Sequence, residues 1–239
     1  MDTQTTRDNQ ALLQFWDQAF AIPEEAKEAA RREGAGTWEA LAPSEKLFCA
    51  TCELRNRKKV LDFGCGNGWA AVAAAKSGCP DVTAADPAPN AADAAAFLAE
   101  LFGVTEQVHL ICGGSEWLKA VPDETFDGIL CSNVLDVIPP ETAKEILREM
   151  TRVVTPDAEI VVGLNYYMSP ETAAEKGLAL TDDRLLYQDG VLRLVSRTDE
   201  EWAAFFDTFF TVESLDHFAW PGENEEKRRL FRLRKRRTA

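Results

Sequence analysis

The residues best suited to chemistry lie in "VLDFGCGNGW" (60–69), where a short apolar run meets glycines at 64, 66 and 68. Glycines at such a turn let the backbone bend tightly and approach a ligand with no side chain in between. A dinucleotide fold asks for Gly-x-Gly-x-x-Gly, the last glycine allowing close helix–strand packing. Counted from Gly64, that last position is Trp69, and an indole does not fit such a crossing. Asp62 stands two residues before the first glycine, and Asp86 stands 20 residues after Gly66. A carboxylate at 62 would repel a pyrophosphate but favour an ammonium or a sulfonium. A carboxylate at 86 has the acceptors to take both hydroxyls of a ribose. Singly, Asp62 is compatible with a turn or cap, and Asp86 before Pro87 with the start of a loop. Together, at the ends of successive strands, they describe a site for a nucleoside with a ribose, no phosphates and positive charge.

Elements must hold those residues, and the hydrophobic period supplies them. Up to about Lys58 the chain reads as helices, with Leu12, Leu13, Trp16 and Phe20 at helical spacing, broken at Pro23, Gly34–Gly36 and Pro43. Strands are predicted at 59–63, 81–86, 108–112, 126–132 and 158–165, and helices at 69–77, 90–102 and 140–154. This alternation means βαβ units, a mostly parallel sheet and helices on both faces. Ligands then bind beyond the carboxyl ends of the strands, where the winding reverses. After Asn165 the rhythm changes. A hairpin is predicted over 182–195 with Asp189-Gly190 as its turn. A helix over 198–210 follows, with a Thr198–Glu201 capping box and a face of Trp202, Phe205, Phe206 and Phe209. Two strands near "TVESLDHF" and "RLFRLR" finish the sheet. The whole of 1–239 reads as one domain: a helical cap (1–58), a ligand-binding core (59–165), and a hairpin, helix and last two strands (166–239).

Composition narrows the partners. The 239 residues carry a net charge of −14, which argues against general nucleic-acid binding. The basic end "KRRLFRLRKRR" reads as a final strand, Phe231 and Leu233 inward, Arg232 and Arg234 outward. "MDTQTTRDNQ" does not read as a secretory signal, and no run reaches the ~20 apolar residues of a membrane span. The expected compartment is the cytoplasm, with reduced thiols at Cys49, Cys52, Cys65, Cys79, Cys112 and Cys131. Cys49 and Cys52 form one C-x-x-C without a second pair, and helix packing explains it better than a metal. No metal site is expected.

S-adenosylmethionine meets all three demands of the predicted ligand. "VLDFGCGNG" resembles motif I of class I S-adenosylmethionine-dependent methyltransferases. The likeness continues through "VTAADPAP", "PDETFDGILCSNVLDVIPP" and "LREMTRVVTPDAEIVVG", which look like later motifs of the small-molecule branch, over about 59–165. It implies an α/β, doubly wound, Rossmann-like sheet of seven mostly parallel strands, the last antiparallel. It implies that Asp62, Gly64, Cys65, Gly66 and Gly68 line the methionine part, largely through backbone. It places Asp86 and Pro87 at the ribose, Gly114, Ser115 and Glu116 by the adenine, and Ser132, Asn133 and Val134 on the methionine side. The product is S-adenosylhomocysteine. Three departures stand out. Gly114 replaces a common acid, leaving backbone or Glu116 as a substitute. Asp136 replaces a common histidine, and Asp157-Ala158 a common Gly-Gly turn. Asn133 is equally compatible with capping a helix.

Methyl transfer is an in-line displacement, so aligning the partners and excluding water matter most. A general base is needed only for a protonated acceptor. Asp136, Tyr166, Tyr167 and His217 are candidates for that role, and no catalytic residue is assigned. Phe15, Trp16, Phe20, Trp38 and the 166–198 insertion are expected to roof the site, with packing as the default for Trp16 and Phe20. "SNVLDVIPP" does not match the Asn-Pro-Pro-Tyr-like segment typical of methylation at a planar amide or base nitrogen. A small-molecule acceptor is the first expectation. RNA or protein, suggested only by the basic end, is the second, and a non-catalytic cofactor binder the third.

Overall fold

The structure, a computed structural model, describes residues 3–236. Three helices open the chain: α1 (Thr3–Phe20), α2 (Glu24–Glu33) and α3 (Glu45–Glu53). Pro23 separates the first two, and Ser44 caps the third by accepting from Leu47 N. Leu12 is buried, but Leu13 is on the exposed face of α1, so the predicted apolar stripe is narrower than expected.

The alternating part follows as β1 (Val60–Phe63), α4 (Trp69–Ser77), β2 (Val82–Asp86), α5 (Pro89–Leu101), β3 (Val108–Cys112), α6 (Ser115–Ala120), β4 (Phe126–Ser132), α7 (Pro140–Val153) and β5 (Val154–Leu164). β5 begins four residues earlier than predicted. Its pairing with β4 jumps from Val154 to Glu159 while β4 advances from Phe126 to Gly128. Asp157 and Ala158 therefore lie in an irregularity of the strand rather than in a separate loop. α6, six residues long, was not predicted.

The rest of the chain forms α8 (Pro170–Glu175), also unpredicted, then β6 (Leu185–Gln188), β7 (Val191–Val195), α9 (Asp199–Phe206), β8 (Phe210–Phe218) and β9 (Arg228–Lys235). β6 and β7 make their own two-stranded sheet. Their turn, Asp189-Gly190, has φ of 50° and 77°, the two left-handed residues a type I′ turn requires. The capping box at Thr198 and Glu201 is formed, but α9 ends at Phe206 and Phe210 opens β8.

The main sheet has seven strands in the order β3-β2-β1-β4-β5-β9-β8. β9 is antiparallel to both neighbours, so β8 runs with the rest. The winding reverses between β1 and β4, which places the switch point beside the glycine turn. Strand residues alternate between two buried faces. Leu61, Ile129, Ile160 and Phe231 meet α1, α6, α7 and α9 on one side. Val60, Leu130, Val161 and Leu230 meet α3, α4 and α5 on the other. Phe231 and Leu233 are buried as expected. Arg232 pairs with Glu53 and Glu159, and Arg234 with Glu213. Arg237, the end of the basic segment, lies outside the described residues.

Candidate cofactor site at the carboxyl edge of the sheet

β1 ends at Phe63, and the chain turns through three left-handed glycines: Gly64 (φ 71°), Gly66 (φ 52°) and Gly68 (φ 79°). Gly64 N and Cys65 N both donate to Ala85 O, at 2.8 and 3.1 Å, wrapping the turn around the end of β2. Two of the glycines are demanded by neighbours. A Cβ on Gly64 would come within 2.2 Å of Val134, and one on Gly68 within 2.7 Å of Ala95 in α5. The third, Gly66, turns its open side toward Phe20.

Two acids flank this turn. Asp62 accepts from Ala71 N at 3.1 Å, at the start of α4. Asp86 accepts from Gly66 N at 3.0 Å and from Ala88 N at 2.9 Å. Asp86 thus shapes the turn, and each of its oxygens keeps a further acceptor position. Burial pushes the Asp62 carboxyl up to about 7, its bond from Ala71 opposes the rise, and the nearby Asp86 charge adds to it. Burial also raises Asp86, against its two backbone bonds. Among the described residues, no Lys, Arg or His pairs with Asp62 or Asp86. Two adjacent buried carboxyls without a cation make a site suited to a positively charged ligand. Burial raises the Cys65 thiol well above its ordinary range, with Asp62 adding to the effect, so it is no nucleophile here.

The segment after β4 closes the other side. Asn133 adopts a left-handed φ of 57° and donates its N–H to Gly163 O at 2.8 Å. The next regular helix, α7, starts only at Pro140, so Asn133 caps none. Ser132 Oγ, Asn133 Oδ1 and Asp136 Oδ1 are buried without a hydrogen-bond partner among the described residues. Orphaned polar atoms gathered in one five-residue segment call for a ligand or ordered water. Asp136 itself is sealed from solvent. Its Oδ2 accepts from Asn165 N at 2.6 Å, and its carbonyl accepts from Val195 N at 2.7 Å. Burial pushes its carboxyl up to about 6, partly offset by the Asn165 bonds. It ties the loop after β4 to the end of β5 and to β7.

Beyond β2, Pro87 lies 3.4 Å from a Cβ placed on Gly114, and Gly113 N donates to Asp86 O. Ser115 starts α6. The Glu116 carboxylate is turned to solvent and paired with Lys119 at 2.7 Å, so it does not replace the missing acid at 114. The remaining base candidates are not brought to the turn. Tyr167 and His217 line a cleft of about 260 Å³ at the β8–β9 end with Asp199, Glu226, Lys227 and Arg229. Tyr166 lies under Lys176, Lys227 and Arg228. His217 Nε2 contacts Asp199 Oδ2 at 2.8 Å, and Arg229, only 2 % exposed, donates to Asp199, Asn165 O and Arg197 O. Sequence reasoning missed this buried arginine, because "RRLFRLR" shows adjacent charges that alternation cannot sort. It also missed a clamp at the end of α1: Asn90 N donates to Asp17 Oδ1 at 2.8 Å, and Asn90 Nδ2 to Asp17 O at 3.0 Å. Cys49 and Cys52 both lie on α3, and no metal-ligand cluster occurs among the described residues.

The sequence profile of the methyltransferase domain family matches residues 60–157. No curated protein sequence matches the chain. Among solved structures, it resembles 1,6-didemethyltoxoflavin-N1-methyltransferase from Burkholderia thailandensis, determined with 1,6-didemethyltoxoflavin and S-adenosylhomocysteine bound. Identity is 19 %, with 90 % of this chain and 91 % of that one covered and a TM-score of 0.63. The mitomycin 7-O-methyltransferase MmcR is similar at 19 % identity, over 79 % of this chain and 54 % of that one, with a TM-score of 0.59. So is the [4+2]-cyclase SpnF, at 20 % identity over 72 % and 58 %, with a TM-score of 0.57. The chain spans about half the length of these last two. A cyclase among them shows that this fold hosts more than one reaction. The chain takes the Rossmann-like fold of S-adenosylmethionine-dependent methyltransferases.

Proposed function

We propose that the chain, as a single domain, transfers a methyl group from S-adenosylmethionine to a small molecule and releases S-adenosylhomocysteine. The observation that carries this reading is the pair Asp62 and Asp86, buried on either side of the glycine turn with no cationic side chain among the described residues to meet them. When bound, S-adenosylmethionine supplies a methyl group on a positively charged sulfur that is already a good leaving group. Asp62 faces its ammonium end, and the backbone of Gly64, Cys65, Gly66 and Gly68 gives close approach. Asp86, followed by Pro87, accepts from the ribose. Gly114 and Ser115 border the adenine through backbone. Ser132, Asn133 and Val134 bound the methionine side, where the orphaned oxygens of the first two find partners.

The residues act by positioning and by excluding water. Asp136 holds the loop after β4 in place through the bond its Oδ2 accepts from Asn165 N. A small acceptor suits the surroundings. The basic end is taken up by β9, and its outward arginines are paired with glutamates, which leaves little charge for RNA. No helix among the described residues is long and apolar enough to cross a membrane. We place the protein in the cytoplasm.

The test is transfer of labelled methyl from S-adenosylmethionine into fractionated cell extract. Label in the small-molecule fraction is expected. Label confined to RNA or protein would contradict the small acceptor. Cofactor binding with no transfer in any fraction would favour a non-catalytic binder.

A further inference from the structure

One half-buried arginine has no oxygen to hold. Its neighbours in the last part of the chain are paired with acids: Arg184 with Glu201, Arg228 with Glu223 and Arg229 with Asp199. Arg193, in β7, neither pairs with an acid nor donates to an oxygen among the described residues. Its guanidinium lies 4.0 Å over the Phe15 ring and 5.7 Å over the Trp16 ring. Rings balance part of the charge but offer no oxygen to the five N–H donors of the fork.

Two elements bring this guanidinium to the cofactor site. On one side stands α1. Trp16 stacks on Phe20 at 5.7 Å, and Phe20 Cζ lies 2.7 Å from a Cβ built on Gly66. On the other side stands the loop after β4. Val195 N, two residues beyond Arg193, donates to Asp136 O at 2.7 Å, and Val134 of the same loop closes on Gly64. Asp8 accepts from Tyr187 of β6 at 2.9 Å, which fastens α1 to the hairpin. Arg193 therefore lies between the helix and the loop that both touch the glycine turn, and that loop is the one assigned above to the methionine side.

We propose that Arg193 anchors the methyl acceptor through an oxyanion, a carboxylate or a phosphate, so that the acceptor is a small anionic molecule. The inference rests on the functional reading given above and names the acceptor's class. A planar fork of N–H donors matches two oxygens of such a group, and the match orients the molecule as well as holding it. Oxygens engaged in this way are poor nucleophiles, so the methyl group goes to another atom and the product keeps its oxyanion. A chain with net charge −14 repels anions in general, and an arginine free of acids at the site supplies local attraction. Arg193 is a specificity-determining residue, with no part in proton transfer.

The experiment is transfer of labelled methyl into the small-molecule fraction of cell extract by wild type, Arg193→Gln and Arg193→Lys. Melting curves and calorimetry with S-adenosylhomocysteine are the controls. Carbodiimide coupling to aniline should shift the elution of the labelled product if it carries a carboxylate, and phosphatase should shift it if it carries a phosphate. A product moved by neither treatment overturns the proposal. Arg193→Gln should need about tenfold or more acceptor for half-maximal rate, with Arg193→Lys in between. Unchanged acceptor dependence overturns the proposal. So does an equal loss of S-adenosylhomocysteine affinity, which would mean that Arg193 holds the cofactor's own carboxylate. If Arg193→Gln does not fold, Arg193→Lys must weaken the acceptor by itself, and an unchanged dependence overturns the proposal. Wild type that binds the cofactor but labels nothing defeats the functional reading alone. Fluorine magnetic resonance with para-fluorobenzoate and monofluorophosphate then reads the anion site directly, with S-adenosylhomocysteine present. Binding of either probe that Arg193→Gln abolishes upholds the site, and no binding overturns it.

Discussion

Asp86→Ala should lower stability and cofactor affinity together, and the two losses have separate causes. Asp86 is only 7 % exposed, and its oxygens take Gly66 N at 3.0 Å and Ala88 N at 2.9 Å. Removing the carboxylate strands two buried donors, at about 1–3 kcal/mol each. Part of that is offset, because burial already disfavours the charged form of this group. A net loss of about 2–4 kcal/mol is expected, and at ~2–4 °C per kcal/mol the melting temperature falls by roughly 4–16 °C. Ribose hydroxyls bonded to a charged acceptor contribute about 1.5–3 kcal/mol each, so affinity for S-adenosylmethionine falls at least about tenfold. Asp86→Asn keeps one acceptor and turns an amide N–H₂ against the second donor, so it should lie between wild type and Ala on both measures. Thermal melting followed by circular dichroism reads the first effect, and calorimetry the second. Adenine without ribose should bind wild type and a folded Asp86→Ala alike. An unchanged melting temperature would refute the view that Asp86 holds the turn. Unchanged affinity for the full cofactor would refute its contact with the ribose.

Gly66→Val should abolish cofactor binding while the far-ultraviolet circular dichroism persists, because a β-branched residue resists φ of 52° and its Cβ would meet Phe20; a variant with normal affinity would make the turn purely structural. Asp62, raised from 3.8 to about 7, keeps a proton that the unfolded chain loses, so its own contribution to stability is fully present below about pH 4 and is lost as pH rises through 7. Asp62→Asn should flatten that part of the melting-temperature profile between pH 4 and 7. The cofactor's ammonium should reverse the shift, so binding near pH 6.5 should release protons, read as a dependence of calorimetric heat on buffer ionisation; no buffer dependence would remove the ammonium from Asp62. Arg229→Met removes three bonds of a buried guanidinium and should cost about 3 kcal/mol, seen as a lower melting temperature; unchanged melting would make that network dispensable.

The alternating core was legible because its period switches cleanly. Apolar runs such as "VHLIC" and "FDGILCS" stand as predicted at 108–112 and 126–132. The turn was legible because three glycines in five residues have few other uses, and the structure shows all three left-handed. α6 and α8 escaped notice because six residues hold under two helical turns, too few for a period to show. Asn133 read as a cap because its side chain suits one, and only the fold shows its left-handed backbone pinned to Gly163. The position of Phe20 was out of reach for another reason. Its spacing with Trp16 indicates one helix face, but not that the helix end is clamped beside β2 with the ring on Gly66. Long-range contacts of that kind leave no local pattern.

The central claim is a site at the glycine turn for S-adenosylmethionine, and calorimetric titration of the purified full chain tests it most directly. S-adenosylmethionine and S-adenosylhomocysteine should each bind saturably at one site per chain, compete with one another, and raise the melting temperature. At 100 times the dissociation constant the gain is about 2.7 kcal/mol, or roughly 5–11 °C. Nicotinamide dinucleotides should give neither heat nor shift. Absence of heat and of any shift with millimolar S-adenosylmethionine would contradict the account.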